Sequence, residues 1–97
     1  MITEAEAENI AYRFINKPDG LWPNKPEMII TQREETEEAY IFYWTSSKYL
    51  KTNNIEDMLA GNGPIVVLKK NGNHDGAGSA PPIDKRIKET ITRLNSN

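Results

Sequence analysis

Three groups of side chains in this 97-residue chain are of types that could do chemistry. They are the adjacent pair His74-Asp75, the glycines Gly61, Gly63, Gly72, Gly76 and Gly78, and the glutamates Glu34, Glu35, Glu37 and Glu38. A base beside a carboxylate is common in active sites, but working pairs are assembled in space, and neighbours in a strand point to opposite faces. His74 is the single histidine, there is no cysteine, and no serine has an obvious activating partner, so a polar hairpin residue is the expected role of His74. Zinc would need three or four converging N, O or S ligands, which one histidine and scattered carboxylates do not supply. No catalytic residue, metal or cofactor is therefore expected.

The glycines do not form a phosphate cradle. Neither GxxxxGK[ST] nor GxGxxG stands between a strand and a helix. Gly76-Ala77-Gly78-Ser79 comes nearest, since a helix amino terminus attracts anions, but Pro81 and Pro82 remove two of the amides such a site would use. Turn geometry is the expected role of these glycines. The four glutamates repel one another and demand solvation, which places them at a hairpin tip or a frayed strand end. A rigid hairpin with that many carboxylates is also a plausible docking surface for a basic partner. Tyr40, Phe42, Trp44 and Tyr49 pose a choice between core and interface. Those within the strand are expected in the core, and Tyr49 is available as an aromatic anchor.

With no active site visible among these residues, a binding protein is expected over an enzyme. A chain of 97 residues, 37% hydrophobic and 27% charged, has room for one domain with one core. No apolar run approaches the ~20 residues of a membrane span, and the first residues carry no basic start leading to a signal segment. The absence of cysteine fits a reducing compartment, so a cytoplasmic location is expected. Net charge is -2, which asks for neither a nucleic acid nor a membrane as partner. The charge is uneven: nine acidic residues stand against four basic up to Ser47, and eight basic against five acidic from Lys48 onward.

The elements that must position these groups are legible from periodicity and punctuation. Thr3 with Glu6 forms a capping-box pattern ahead of a helical stripe, Ala7, Ile10, Ala11, Phe14 and Ile15. The helix should stop near Asn16, because Lys17 precedes Pro18. Pro18, Pro23 and Pro26 predict an irregular loop whose Leu21 and Trp22 fold back over the edge of the core. Met28 to Gln32 reads as a strand. Tyr40 to Trp44 reads as a central strand, with Tyr40, Phe42 and Trp44 on one face and Ile41 and Tyr43 on the other. Thr45 to Tyr49 is a polar exit. Asn53 or Asn54 would cap a short helix carrying Ile55, Met58 and Leu59. Ile65 to Leu68, with no polar residue, is a neighbouring strand, and Asn71-Gly72 turns it into a poor, short edge strand. Ser79 would cap a last helix, with Pro81 and Pro82 in its first turn and Ile83, Ile87, Ile91 and Leu94 as its stripe; Asp84 with Lys88 and Glu89 with Arg93 would pair on its wet side. The expected fold is α+β: a small antiparallel sheet of three to four strands with an N-terminal and a C-terminal helix packed on one face.

Within this frame, Tyr40 to Thr52, then Leu59-Ala60-Gly61-Asn62-Gly63-Pro64-Ile65-Val66-Val67, then Gly78-Ser79-Ala80-Pro81-Pro82-Ile83, resembles the YrhB-like family, also called immunity protein 35. That family's pattern is an aromatic strand ending in a serine and a tyrosine, a Leu-Ala-Gly-Asn-x-Pro turn, a β-branched strand, a Gly-Thr step and a short amphipathic C-terminal helix. Here Ala39-Tyr40 replaces the usual Gly-Trp, and Ser79 stands where threonine is usual. The resemblance implies a single-domain, non-enzymatic immunity protein of a bacterial polymorphic toxin system, binding a cognate toxin by direct contact. A chaperone-like protein that binds unfolded clients is the alternative. On this reading Glu34, Glu35, Glu37 and Glu38, with Tyr49, face the toxin, and the acidic side chains suit a basic one. Gly61, Asn62 and Pro64 have structural roles: Gly61 permits the turn, Asn62 ties backbone amides within it, and Pro64 starts the strand. An uncovered sheet face or a bare edge strand leaves a homodimer open.

Overall fold

The computed structural model of the chain describes residues 1–18, 20–54 and 62–96. The order of elements is α1 (Glu4–Ile15), β1 (Met28–Glu35), β2 (Ala39–Ser46), α2 (Ser47–Thr52), β3 (Ile65–Leu68), β4 (His74–Gly76) and α3 (Ile83–Asn95). The four strands form one sheet in the order β1-β2-β3-β4, and every neighbouring pair is antiparallel. The expected α+β fold with two long helices and a small antiparallel sheet is the fold observed.

The helices, however, do not share a face. Ala7, Ala11 and Ile15 of α1 pack with Met28, Phe42, Ile65 and Val67. Ile87, Ile91 and Leu94 of α3 pack with Ala39, Ile41, Val66 and Leu68. Residues of β2 and β3 alternate between these two clusters, so α1 and α3 lie on opposite faces of the sheet. The physical reason is in β3: all four of its side chains are apolar and buried, two point each way, and one layer of helix shields only one side.

Local chemistry fixes the ends of the elements. The Thr3 hydroxyl accepts from the Glu6 amide at 3.1 Å, and the Glu6 carboxylate accepts from the Thr3 amide at 3.0 Å, the reciprocal cap expected. Asn16 does more than end α1. Its side-chain amide donates to the Tyr12 carbonyl at 3.0 Å and the Met28 carbonyl at 3.1 Å, and its oxygen accepts from the Met28 amide at 2.7 Å. One side chain thus joins the end of α1 to the first residue of β1.

Four details differ from expectation. Leu21 is 96% exposed and Trp22 40%, so the proline-rich loop holds them outward instead of folding them over the core. Ser46 caps α2 by accepting from the Tyr49 amide at 3.1 Å, so the polar exit is a helical turn and a half, and Asn53 closes it in the left-handed region at φ 52°. The residues expected to form a helix around Ile55, Met58 and Leu59 lie outside those described. At α3 the N-cap is Pro82, which makes no side-chain cap, and the helix begins at Ile83 instead of near Ser79. Arg93 of α3 pairs with Asp75 of β4 at 2.7 Å, and Glu89 takes Arg86 at 3.0 Å.

The sheet edges are blunted. β1 carries a bulge between Ile30 and Gln32 and ends in charged residues, and β4 is three residues long. Asn16→Ala is expected to destabilise the fold by about 1–3 kcal/mol, because it leaves partly buried groups at the start of β1 unpaired. A lower urea midpoint with an unchanged m-value is the expected readout; an unchanged midpoint would deny the Asn16 link a structural role.

Candidate protein-binding surface

The β1–β2 hairpin places all four glutamates at one end of the sheet. Glu34 and Glu35 are the last residues of β1, Glu37 and Glu38 lie in the link, and all four are exposed. The link is fixed from inside. The Thr36 hydroxyl accepts from the Ala39 amide at 3.0 Å and the Glu38 amide at 3.3 Å, and the Thr36 amide donates to the Ala39 carbonyl at 2.8 Å. The carboxylates therefore project from a defined backbone.

Their surroundings are graded by face. Glu35 points to the α1 side, where Lys69 pairs with it at 2.5 Å while also lying 5.1 Å from the centre of the Tyr40 ring. Glu38 accepts from the Asn95 amide group at the end of α3 at 3.1 Å. Glu34 points to the α3 side, beside Tyr43. Burial first, then the hydrogen bond to Glu34 and the charges of Glu34 and Asp84, push the Tyr43 hydroxyl up to about 12. The phenol therefore stays neutral.

Tyr49 is not part of this cluster. It is half-buried in α2, beyond the far end of β2. An eight-residue strand separates it from the link, roughly 23 Å at ~3.3 Å per residue, so one compact contact cannot centre on both. The end of the sheet occupied by α2 also carries the Trp22 loop: the Ser47 amide donates to the Glu27 carbonyl at 2.8 Å.

His74 and Asp75 are directed apart. The His74 ring meets Phe14 of α1 edge-on at 5.3 Å, with Nδ1 2.9 Å from the Gly72 carbonyl oxygen. Asp75 turns to the other face, where Arg93 foremost, and the Gly76 amide, hold its carboxyl below the usual carboxylate range. The two do not form a catalytic pair. Among the described residues no group of three or more His, Cys, Asp or Glu side chains is arranged to hold a metal ion, and no helix is long and apolar enough to cross a membrane.

Asn62, Gly63 and Pro64 form a lock that holds β2 against the last third of the chain. The Asn62 side-chain amide donates out of its turn to the Trp44 carbonyl at 2.8 Å, and the Trp44 indole N–H donates to the Gly63 carbonyl at 2.9 Å. Pro64 directly precedes β3, and its carbonyl accepts from the Ala77 amide at 2.8 Å. Gly63 lies against the backbone of Gly78: a Cβ there would stand 2.2 Å from the Gly78 carbonyl carbon and oxygen. Sequence reasoning gave these two glycines ordinary turn roles and missed their mutual packing, which only a pattern pairing residues fifteen apart could have signalled. Gly61 lies outside the described residues.

A family model described as immunity protein 35 matches residues 5–89, which includes all but the first residue of α1, the whole sheet and the first half of α3. No curated protein and no solved structure matches the chain.

Gly63→Ala is expected to cost about 3 kcal/mol, since backbone cannot move aside as a flexible side chain would. Gly20→Ala, with open space at its Cβ, should shift stability by less than about 0.5 kcal/mol. Thermal unfolding followed by tryptophan fluorescence compares them; equal stabilities would remove the 63–78 contact from the account.

Proposed function

The chain belongs to the immunity protein 35 family, and from that membership we propose that it binds and neutralises a cognate bacterial toxin by direct protein-protein contact, within a polymorphic toxin system. The family is one of immunity proteins, not enzymes, and its role is protein binding. The finer reading rests on one observation: a rigid hairpin end at which Glu34, Glu35, Glu37 and Glu38 are exposed together. Such a field steers a basic partner toward one orientation and repels acidic ones. The toxin is accordingly a basic protein, and the encounter takes place in the cytoplasm of the producing cell.

A chaperone-like role is the second reading, favoured by the exposed Leu21 and Trp22. Weak binding of many unfolded chains needs an adaptable apolar patch, and two outward side chains on a proline-rich loop offer a small one. A bulged β1 and a three-residue β4 are poor templates for pairing two copies, so the monomer is the binding unit.

Co-expression with the toxin candidate encoded beside the gene should restore growth and yield a one-to-one complex. Reversal of all four glutamates to lysine should weaken that complex at least about tenfold at low ionic strength and flatten its salt dependence. Circular dichroism checks that the reversed chain keeps its fold, since Lys69, the partner of Glu35, has a side chain only 12% exposed. Unchanged affinity at low salt removes the glutamates from the contact. Failed rescue together with suppressed aggregation of unrelated clients would replace the immunity reading with the chaperone-like one.

A further inference from the structure

Among the described residues, α3 covers its side of the sheet unevenly. α3 packs on β3 and β4 and on Ala39 and Ile41 of β2, whereas α1 packs on β1, β2 and β3. Among the described residues β1 makes its main helix contacts with α1, and Gln32 and Glu34 stand exposed on its α3 side. Between the hairpin and α3 lies a groove of about 320 Å³. Its floor is the edge of the core, Ile41, Ile87 and Ile91, and its rim carries Glu34, Glu37 and Asp84, with Lys88 opposing them. Glu34 comes from a strand and Asp84 from a helix, and the fold brings both to the lining of this groove.

The two chemistries select an occupant jointly. Carboxylates alone would gather hydrated cations without preference, and an aliphatic floor alone would accept any apolar group. A side chain that lays a methylene stem on apolar surface while holding a positive head at the rim satisfies both. Arginine fits better than lysine, because its guanidinium is more weakly hydrated and its planar fork matches carboxylate oxygens.

We propose that this groove is the socket for a cationic, long-stemmed side chain of the protein partner, arginine in preference to lysine, with its stem on Ile41, Ile87 and Ile91 and its head among Glu34, Glu37 and Asp84. The identity of the partner rests on the immunity reading; the chemistry of the socket does not. Lys88 occupies the rim as a competitor, so removing its charge should favour the incoming cation.

The test has two arms, both on the full chain. In the first, isoleucine methyl signals are followed while butylguanidinium, butylammonium or butanol is added. Shifts at Ile41, Ile87 and Ile91 are expected with butylguanidinium, smaller ones with butylammonium and little with butanol, and the Glu34→Gln/Asp84→Asn variant should lose them. In the second arm, the affinity for the toxin should fall roughly tenfold in Glu34→Gln/Asp84→Asn and rise about threefold in Lys88→Gln, opposite signs that general loosening of the surface would not produce. Equal response to butanol, shifts located elsewhere, or a toxin affinity indifferent to both variants overturns the socket. If the wild-type chain binds no toxin while its groove still selects butylguanidinium, the immunity reading falls and the socket stands.

Discussion

Everything in this fold follows from a four-residue strand that has to be kept dry on both sides. Ile65, Val66, Val67 and Leu68 are all buried, and they can be so only with α1 on one face and α3 on the other. β2 lies between β1 and β3 and shares the demand: Phe42 is buried with α1, and Ile41 with α3. Transfer of apolar area from water provides the drive. Among the described residues, two long helices and four strands leave little to spare, however. Among the described residues α3 covers β3, β4 and the near side of β2, and the groove beside the acidic hairpin lies where that cover ends.

The placement of polar groups turns this arrangement into a molecule with two different ends. One end has the hairpin link, rigid through Thr36 and rich in carboxylate. The other has α2 and the proline-rich loop, with exposed Leu21, Trp22 and Leu50 and the lysines Lys17, Lys25, Lys48 and Lys51. Between them, Asn62 donates to the Trp44 carbonyl, the Trp44 indole donates to the Gly63 carbonyl, and Gly63 packs on Gly78. That lock keeps β2 and the segment leading to α3 in register, and with it the relation of Glu34 to Asp84. A fixed geometry of this kind limits the entropy lost on binding, which suits recognition of one folded partner.

Much of this was legible in the sequence. The capping box at Thr3, the stop at Asn16, the strands and the stripe of α3 all rest on local signals, and local signals survive folding. The error over which face α3 occupies had its correction in view: a strand apolar at every position, beside one with apolar groups on both faces, asks for cover on two sides. Other features were not local. Tyr49 and the glutamates look close on paper but are divided by the length of β2. Asp84 and Lys88 read as a wet-side helix pair, and only packing reveals them on the rim of a groove with Glu34. Gly63 and Gly78 each read as a turn, because what they have in common is the absence of a Cβ where two backbones meet. Ser46 looked like part of a polar exit, although a serine ahead of Lys48, Leu50 and Lys51 is a serviceable helix cap.

The central claim is that the acidic end of the sheet, with its groove, meets the toxin. Hydrogen-deuterium exchange of the free chain and of its complex with the toxin tests this without mutating anything. New protection is expected in residues 34–43 and 83–91, with residues 20–26 and 47–52 exchanging as they do in the free protein. Protection confined to the loop of Leu21 and Trp22 and to α2, with the hairpin unchanged, would contradict it and move the binding surface to the opposite end of the molecule.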